Sequence, residues 1–131
     1  MIRIACASDN CKEFVGRHFG SAEYFLIYEL DEETGEISFV EKVKNIPFEE
    51  KHDGDPAKAG HVSSILAKYD VCVIINRAIG PNIVRMRKRF VPVISRVNDI
   101  EETLKRLDPQ EITAENSKPR GKDRKVIYIK G

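Results

Sequence analysis

The sequence has few cysteines, and none of its apolar runs approaches the roughly 20 residues that a transmembrane helix needs. Its three cysteines, Cys6, Cys11 and Cys72, include no Cys-x-x-Cys pair, and their odd number argues against a disulfide framework. The first residues become polar too early for a signal peptide. These features predict a cytoplasmic protein that does not bind membranes.

The common catalytic signatures are also missing. The chain contains no Gly-x-Ser-x-Gly, no phosphate-binding P-loop and no His-Glu-x-x-His. A two-metal nuclease would need several carboxylates on its central strands, and only Asp9 is well placed for that role. The sequence therefore predicts a protein that is not an enzyme.

The charge of the chain is high and unevenly distributed. Charged residues make up 33% of the 131 residues, and Gln110 is the single glutamine, a composition typical of thermophilic proteins. The net charge is only +1, but residues 117–131 hold six basic groups against Asp123, so the rest of the chain sums to −4. We therefore expect one domain at 1–108 and a basic extension at 109–131, formed by a linker and a final strand.

The hydrophobic pattern predicts an α/β fold. Apolar runs predict five strands, and helical spacing predicts three helices after the third, fourth and fifth strands. Right-handed crossovers then give a mixed sheet of order 3-2-1-4-5 with helices on both faces. The run 125–130 predicts a last strand that joins either this sheet or that of a second subunit in a homo-oligomer. The predicted strands are 2–8, 23–31, 36–44, 71–76 and 91–95.

Ligands of such sheets bind at the carboxyl ends of the parallel strands. The loop from Asp9 to Gly20 lies at this edge and carries Cys11, Arg17 and His18, and His61 is expected to return to it at the start of the first helix. One thiol and two imidazoles predict a site for a soft metal or a cluster. The alternative is structural: both histidines cap loops by hydrogen bonding, and Cys11 is an incidental exposed thiol.

A second candidate feature follows the fourth strand. Gly80 and Pro81 are expected to open the second helix, whose backbone N–H groups then face a bound anion with Arg77 as reinforcement. The alternative is a helix start that binds only water. An inner face made by Ile83, Met86 and Phe90 is predicted for this helix.

The basic clusters at 85–89 and in the tail suggest a second function, an interaction module that binds a protein or nucleic acid partner. Met86 is expected to face inward, so a solvated helix face explains the first cluster more simply. No aromatic residues alternate with the basic residues of the tail, which argues against stacking on single strands.

Four segments in the same order resemble the dinitrogenase iron–molybdenum cofactor biosynthesis family: "IACASDN", "VGRHFGSAEYFLIYEL", "AGHVSSILAKYDVCVI" and "IGPNIVRMRKRFVPVI". The similarity covers about residues 2–107. It implies a ribonuclease H-like three-layer fold and a carrier or chaperone of iron–molybdenum cofactor or iron–sulfur precursors. It also implies that His18, Gly20, His61 and Ile79-Gly80 line the binding edge. Arg77-Ala78 and Gly60-His61-Val62 depart from the family's glycine-rich pattern and predict a narrower pocket.

Overall fold

A computed structural model of the chain describes residues 1–46 and 54–131. Its centre is a six-stranded mixed sheet of order β3-β2-β1-β4-β5-β6. The predicted order of the first five strands is confirmed, and the last strand predicted within 125–130 joins this sheet beside β5, so the sheet has six strands rather than the five predicted. The ribonuclease H-like assignment stays a prediction. The strands are β1 (Ile2–Ser8), β2 (Tyr24–Leu30), β3 (Ile37–Lys44), β4 (Val71–Asn76), β5 (Val91–Ser95) and β6 (Ile127–Ile129).

The first strand lies in the middle of the sheet. It pairs antiparallel with β2, where Ser8 is opposite Tyr24, and parallel with β4, where Cys6 is opposite Ile75. Residues 4–8 are all fully buried. Side chains alternate between the two faces of a strand, so β1 contributes to the hydrophobic core on both sides of the sheet.

Helices cover both faces, as predicted. The helices are α1 (Pro56–Ala67), α2 (Ile83–Met86), α3 (Ile100–Lys105) and α4 (Pro109–Asn116). Leu66 of α1 and Met86 of α2 belong to the core on one face, whereas Leu104 of α3 and Ile112 of α4 belong to the core on the other. No helix within the described residues is long and apolar enough to cross a membrane.

Two helical segments differ from the prediction. The second helix begins at Ile83 rather than at Pro81 and ends at Met86, so Phe90 is buried just before β5 and outside the helix. Residues 109–116, expected to belong to a linker, form α4 instead. Asp108 caps this helix by accepting a hydrogen bond of 3.0 Å from Gln110 N, and burial of Ile112 anchors it to the sheet.

Arg124 fixes the segment between α4 and β6 to the rest of the domain. Its side chain is 4% exposed, and its guanidinium donates to the carbonyl oxygens of Lys88 and Lys118, each at 2.8 Å. Its main-chain N donates to Arg87 O at 2.9 Å. A buried cation that hydrogen bonds to several carbonyls is costly to remove, because the carbonyl oxygens then lose their donors.

We expect Arg124→Met to lower the free energy of unfolding by about 2–4 kcal/mol in urea titration, because the apolar side chain replaces the volume but not the donors. The control is Lys122→Ala on the same loop. Because the Lys122 side chain is exposed, we expect the free energy of unfolding to change by no more than about 0.5 kcal/mol. Equal stabilities of the two variants would show that Arg124 does not hold the segment in place.

Candidate functional site

The loop after β1 forms a tight, hydrogen-bonded turn at the carboxyl end of the strand. Asn10 Oδ1 accepts hydrogen bonds from Lys12 N at 2.9 Å and Glu13 N at 2.8 Å. Ser8 Oγ accepts from Cys11 N at 2.9 Å and donates to Glu13 O at 2.6 Å. These bonds hold Cys11 at φ +65°, a left-handed conformation, and leave its side chain exposed. The turn therefore presents a thiol to solvent.

The three cysteines differ in their surroundings. Cys6 is buried in β1 and Cys72 is half-buried in β4, and burial raises the pKa of both thiols because it disfavours the charged thiolate. Only the thiolate binds metal. Cys11 is exposed, so it is the cysteine best placed to act as a ligand.

Arg17 forms an ion pair with Asp9, which connects the two ends of the loop. Arg17 Nη2 lies 2.8 Å from Asp9 Oδ2 and donates to Ser21 O at 3.1 Å. Asp9 Oδ1 accepts from Glu23 N at 2.9 Å. The hydrogen bond from Glu23 N, together with Arg17, lowers the pKa of the Asp9 carboxyl below its usual value. Both predicted binding residues therefore stabilise the loop.

His18 packs directly against Gly80. A Cβ atom at Gly80 would lie 2.6 Å from His18 Nδ1, and Gly80 has a φ of +86°. A bridge between His18 and Ala78 joins the same two segments through their backbones. Only glycine fits here, since both the backbone angle and the imidazole exclude a side chain. The imidazole thus locks the β1–β2 loop onto the segment after β4.

The pocket beside His18 is very small. Its volume is about 20 Å³, and its walls include Gly20, Ala59, Val62 and Met86. That volume is enough for about one water molecule. An added Cβ at Gly20 would lie 3.1 Å from Val62 Cγ2, which shows how closely the loop approaches α1. The pocket therefore has no room for a ligand larger than a water molecule.

The helix predicted to open at Gly80 and Pro81 starts later in the structure. The helix that follows has only four residues and starts three positions later, at Ile83, so it offers no extended N-terminus. The backbone oxygen of Gly80 instead accepts a hydrogen bond from Ile83 N at 3.1 Å. The predicted helix start was wrong because the Gly-Pro pair begins a turn rather than the helix itself, and anion binding at this turn stays a prediction.

The three predicted metal ligands are not gathered into one site. His61 lies midway along α1, and its Nε2 is 2.9 Å from Ile46 O. It does not line the pocket beside His18, and Cys11 lies on the exposed turn. Within residues 1–46 and 54–131 no group of three His, Cys, Asp or Glu side chains could hold a metal ion. The positions of Cys11, His18 and His61 therefore do not support a single metal site that uses all three as ligands.

Arg77 opens onto a separate groove, which we call the Arg77 groove. Its volume is about 300 Å³, and it lies between the β1–β2 loop and the residues that follow β4 and β5. Among the described residues, Arg77 makes no hydrogen bond or ion pair, and its side chain is exposed. The groove is lined by Asp9, Asn10, Glu13, Phe14, Val15, Gly16, Arg77 and Asn98.

Asn98 and Glu13 line this groove but were not among the predicted site residues. Asn98 follows β5, and its O accepts from Phe14 N at 2.9 Å, which joins the two loops. Asp9 and Arg77 were predicted because they are polar residues at the carboxyl ends of parallel strands. The same criterion also applies to Asn98. Glu13 has no comparable signal in the sequence. Its position at the groove results from the hydrogen bond that its main-chain N donates to Asn10 Oδ1.

A larger cleft of about 500 Å³ lies on the other side of Gly20, beside Tyr24, Lys44 and Asn45. Its Lys58 donates to Ser21 Oγ at 3.2 Å, and Asn45 Nδ2 donates to Gly20 O at 3.0 Å and Ala22 O at 2.8 Å. Of the predicted site residues only Gly20 reaches this cleft. The Arg77 groove, which combines a cation that pairs with no other described residue with the turn that carries Cys11, is the better candidate site.

We expect Gly80→Ala to destabilise the protein by about 2 kcal/mol or more, from the left-handed backbone and the collision with His18. Gly60→Ala within α1 is the matched control, since its Cβ meets nothing within 4 Å and should add about 0.5–1 kcal/mol of stability. Urea unfolding measures both changes. In a His18→Ala background, Gly80→Ala should lower the free energy of unfolding by less. An equal loss in both backgrounds would show that the His18 contact does not cause the destabilisation.

Comparisons with known proteins give matches that include the residues of the candidate site. A Thermotoga protein solved by NMR, described as a NifB-type protein of the DUF35 family, shares 25% identity over 78% of this chain and 83% of its own, with a TM-score of 0.48. No curated protein matches the chain. The family model for dinitrogenase iron-molybdenum cofactor matches residues 1–110, which confirms the resemblance inferred for 2–107. The chain therefore belongs to the dinitrogenase iron-molybdenum cofactor family.

Proposed function

We propose that the protein is a non-enzymatic carrier that binds iron–molybdenum cofactor or an iron–sulfur precursor as its cargo in the Arg77 groove. The observation that carries this proposal is Arg77, an exposed arginine whose side chain pairs with no other described residue and which lines a groove with the turn after β1. Cys11, whose free thiol is exposed, lies on this turn between the groove residues Asn10 and Glu13 but does not itself line the groove. Membership of the family over residues 1–110 supports a role in cofactor biosynthesis.

The sizes of the two openings favour the groove over the pocket beside His18. A metal–sulfur cluster contains several heavy atoms and cannot enter about 20 Å³, the room available between the imidazole and α1. The Arg77 groove has about 300 Å³ and is open to solvent. In this proposal His18 is a positioning residue, which fixes the loop through its contact with Gly80.

Arg77 is the cation that the groove offers to an anionic, sulfur-rich cargo, since the carboxylate of Asp9 is paired with Arg17 and that of Glu13 accepts a hydrogen bond from Asn10. A cysteine thiolate is a soft ligand of the kind that iron–sulfur clusters take. The guanidinium of Arg77 supplies a positive charge and several N–H donors for the cluster's negative charge. A single thiolate leaves the other positions of the cargo accessible, which fits a carrier that passes its cargo on.

We expect the wild-type protein to take up iron and sulfide during anaerobic reconstitution and Cys11→Ala to bind about tenfold more weakly, because it lacks the thiolate. Cys72→Ala is the matched control, since this thiol is half-buried in β4 and away from the groove. Iron content and the visible absorption of the cluster measure uptake. Equal loss in both cysteine variants, or negligible uptake by the wild type, would contradict the proposal.

The same assay tests the role of Arg77. Arg77→Gln keeps a polar side chain of similar length but removes the charge, so we expect weaker uptake together with a smaller dependence of binding on salt. Arg17→Gln, which loses its ion pair with Asp9, should act on the stability of the loop instead. Unchanged uptake and salt dependence in Arg77→Gln would exclude a direct role of this side chain.

A further inference from the structure

Two basic segments that are distant in the sequence form one surface. We call residues 85–89 and 117–125 the basic patch. Gly121 N donates to Lys88 O at 2.8 Å, and Arg87 Nε donates to Arg124 O at 2.9 Å. These segments precede the parallel strands β5 and β6, so the patch lies at the amino ends of the strands. The Arg77 groove lies at the opposite edge.

The patch is strongly positive. It holds nine Arg and Lys residues against Asp123, a formal charge of +8, in a chain whose net charge is +1. Of the nine, Arg124 is buried, Arg85 donates hydrogen bonds to Gly54 O and Asn82 Oδ1, and the other seven are exposed or half-buried. Glu111 and Glu115 of α4 pair with Lys125 at 3.6 Å and Lys118 at 2.6 Å, so the charge including both is +6. Like charges that are held together repel one another, and hydrogen bonds from buried Arg124 offset that repulsion here.

The patch offers charge without apolar contacts. Of the exposed large hydrophobic side chains among the described residues, Val84 adjoins the patch in α2, and the others lie outside it: Met1, Phe39, Ile46 and Tyr128. Specific protein–protein interfaces use buried aromatic and apolar anchors and are depleted in lysine, whereas interfaces with nucleic acids are more polar and much more positive. The patch also contains no aromatic residue on which an unpaired base could stack.

We propose that the basic patch binds the phosphate backbone of double-stranded nucleic acid without sequence preference. Arg120 and Lys122 are its most available cations, since both are exposed and neither side chain forms a hydrogen bond or ion pair with other described residues. Gly121 lies between them at φ +92°, and an added Cβ would meet nothing within 4 Å, so the loop is open to a partner. This inference does not depend on the proposed cargo.

Titration of a fluorescent DNA duplex of about 20 base pairs with the full-length protein tests it. We expect a dissociation constant in the micromolar range at about 50 mM salt and a linear fall of log K with log salt concentration. Arg120→Gln/Lys122→Gln should weaken binding about tenfold or more and reduce the salt slope by about 1.8, because two phosphate contacts are lost. Lys12→Gln/Lys44→Gln removes the same charge from the opposite edge and should leave both values nearly unchanged.

Three results would overturn the proposal. The first is no binding of the duplex at low salt. The second is an equal loss in the patch and control variants, which would mean that overall charge alone drives association. The third is tighter binding of a poly-glutamate peptide than of the duplex, which would indicate an acidic protein partner instead.

Discussion

The central position of β1 is the constraint on which the rest of the structure depends. This strand pairs with β2 on one side and with β4 on the other, and residues 4–8 are completely buried. The direction of β1 therefore decides which edge carries the loop that follows it. Because β4 and β5 run parallel to β1, their carboxyl ends meet that loop. Asp9, Arg77 and Asn98 come together for this reason.

The contact between His18 and Gly80 divides this carboxyl edge of the sheet into two parts. The imidazole of His18 fills the space above Gly80 and leaves a pocket of about 20 Å³ on the α1 side. On the other side the Arg77 groove stays open, and the Asp9–Arg17 pair together with the Asn10 turn gives that side a fixed shape. In the proposed function, this hydrogen-bonded loop with its exposed thiol, together with Arg77 after β4, would provide a preorganised surface for an anionic cargo.

The sequence predicts the sheet well, because long apolar runs and short connections leave few alternatives. The bounds of β1, β4 and β5 agree with the observed strands, and the strand order follows from right-handed crossovers. The missed helix α4 had a local signal, because Asp108 followed by Pro109 is an N-cap with proline at the first helical position.

The candidate site was harder to predict, because it depends on side-chain directions that spacing does not reveal. The sequence placed Cys11, His18 and His61 at one edge, but His61 contacts Ile46 O and His18 packs on Gly80. Arg77 was expected to support an anion at Gly80 and instead opens onto the groove beside Asn98. The positive φ of Gly80, which allows the His18 contact, follows from no pattern in the sequence.

The most direct test is where a sulfur-rich anion binds the protein. Two-dimensional NMR of the labelled full-length protein, titrated with tetrathiomolybdate as a small sulfur-rich dianion, reports which amides it reaches. We expect the largest shifts at residues 9–16, at Arg77 and at Asn98, with a reduced response in Arg77→Gln. Shifts confined to the basic patch or to the cleft beside Lys44 and Lys58, with the Arg77 groove unaffected, would contradict the assignment of the groove as the carrier site.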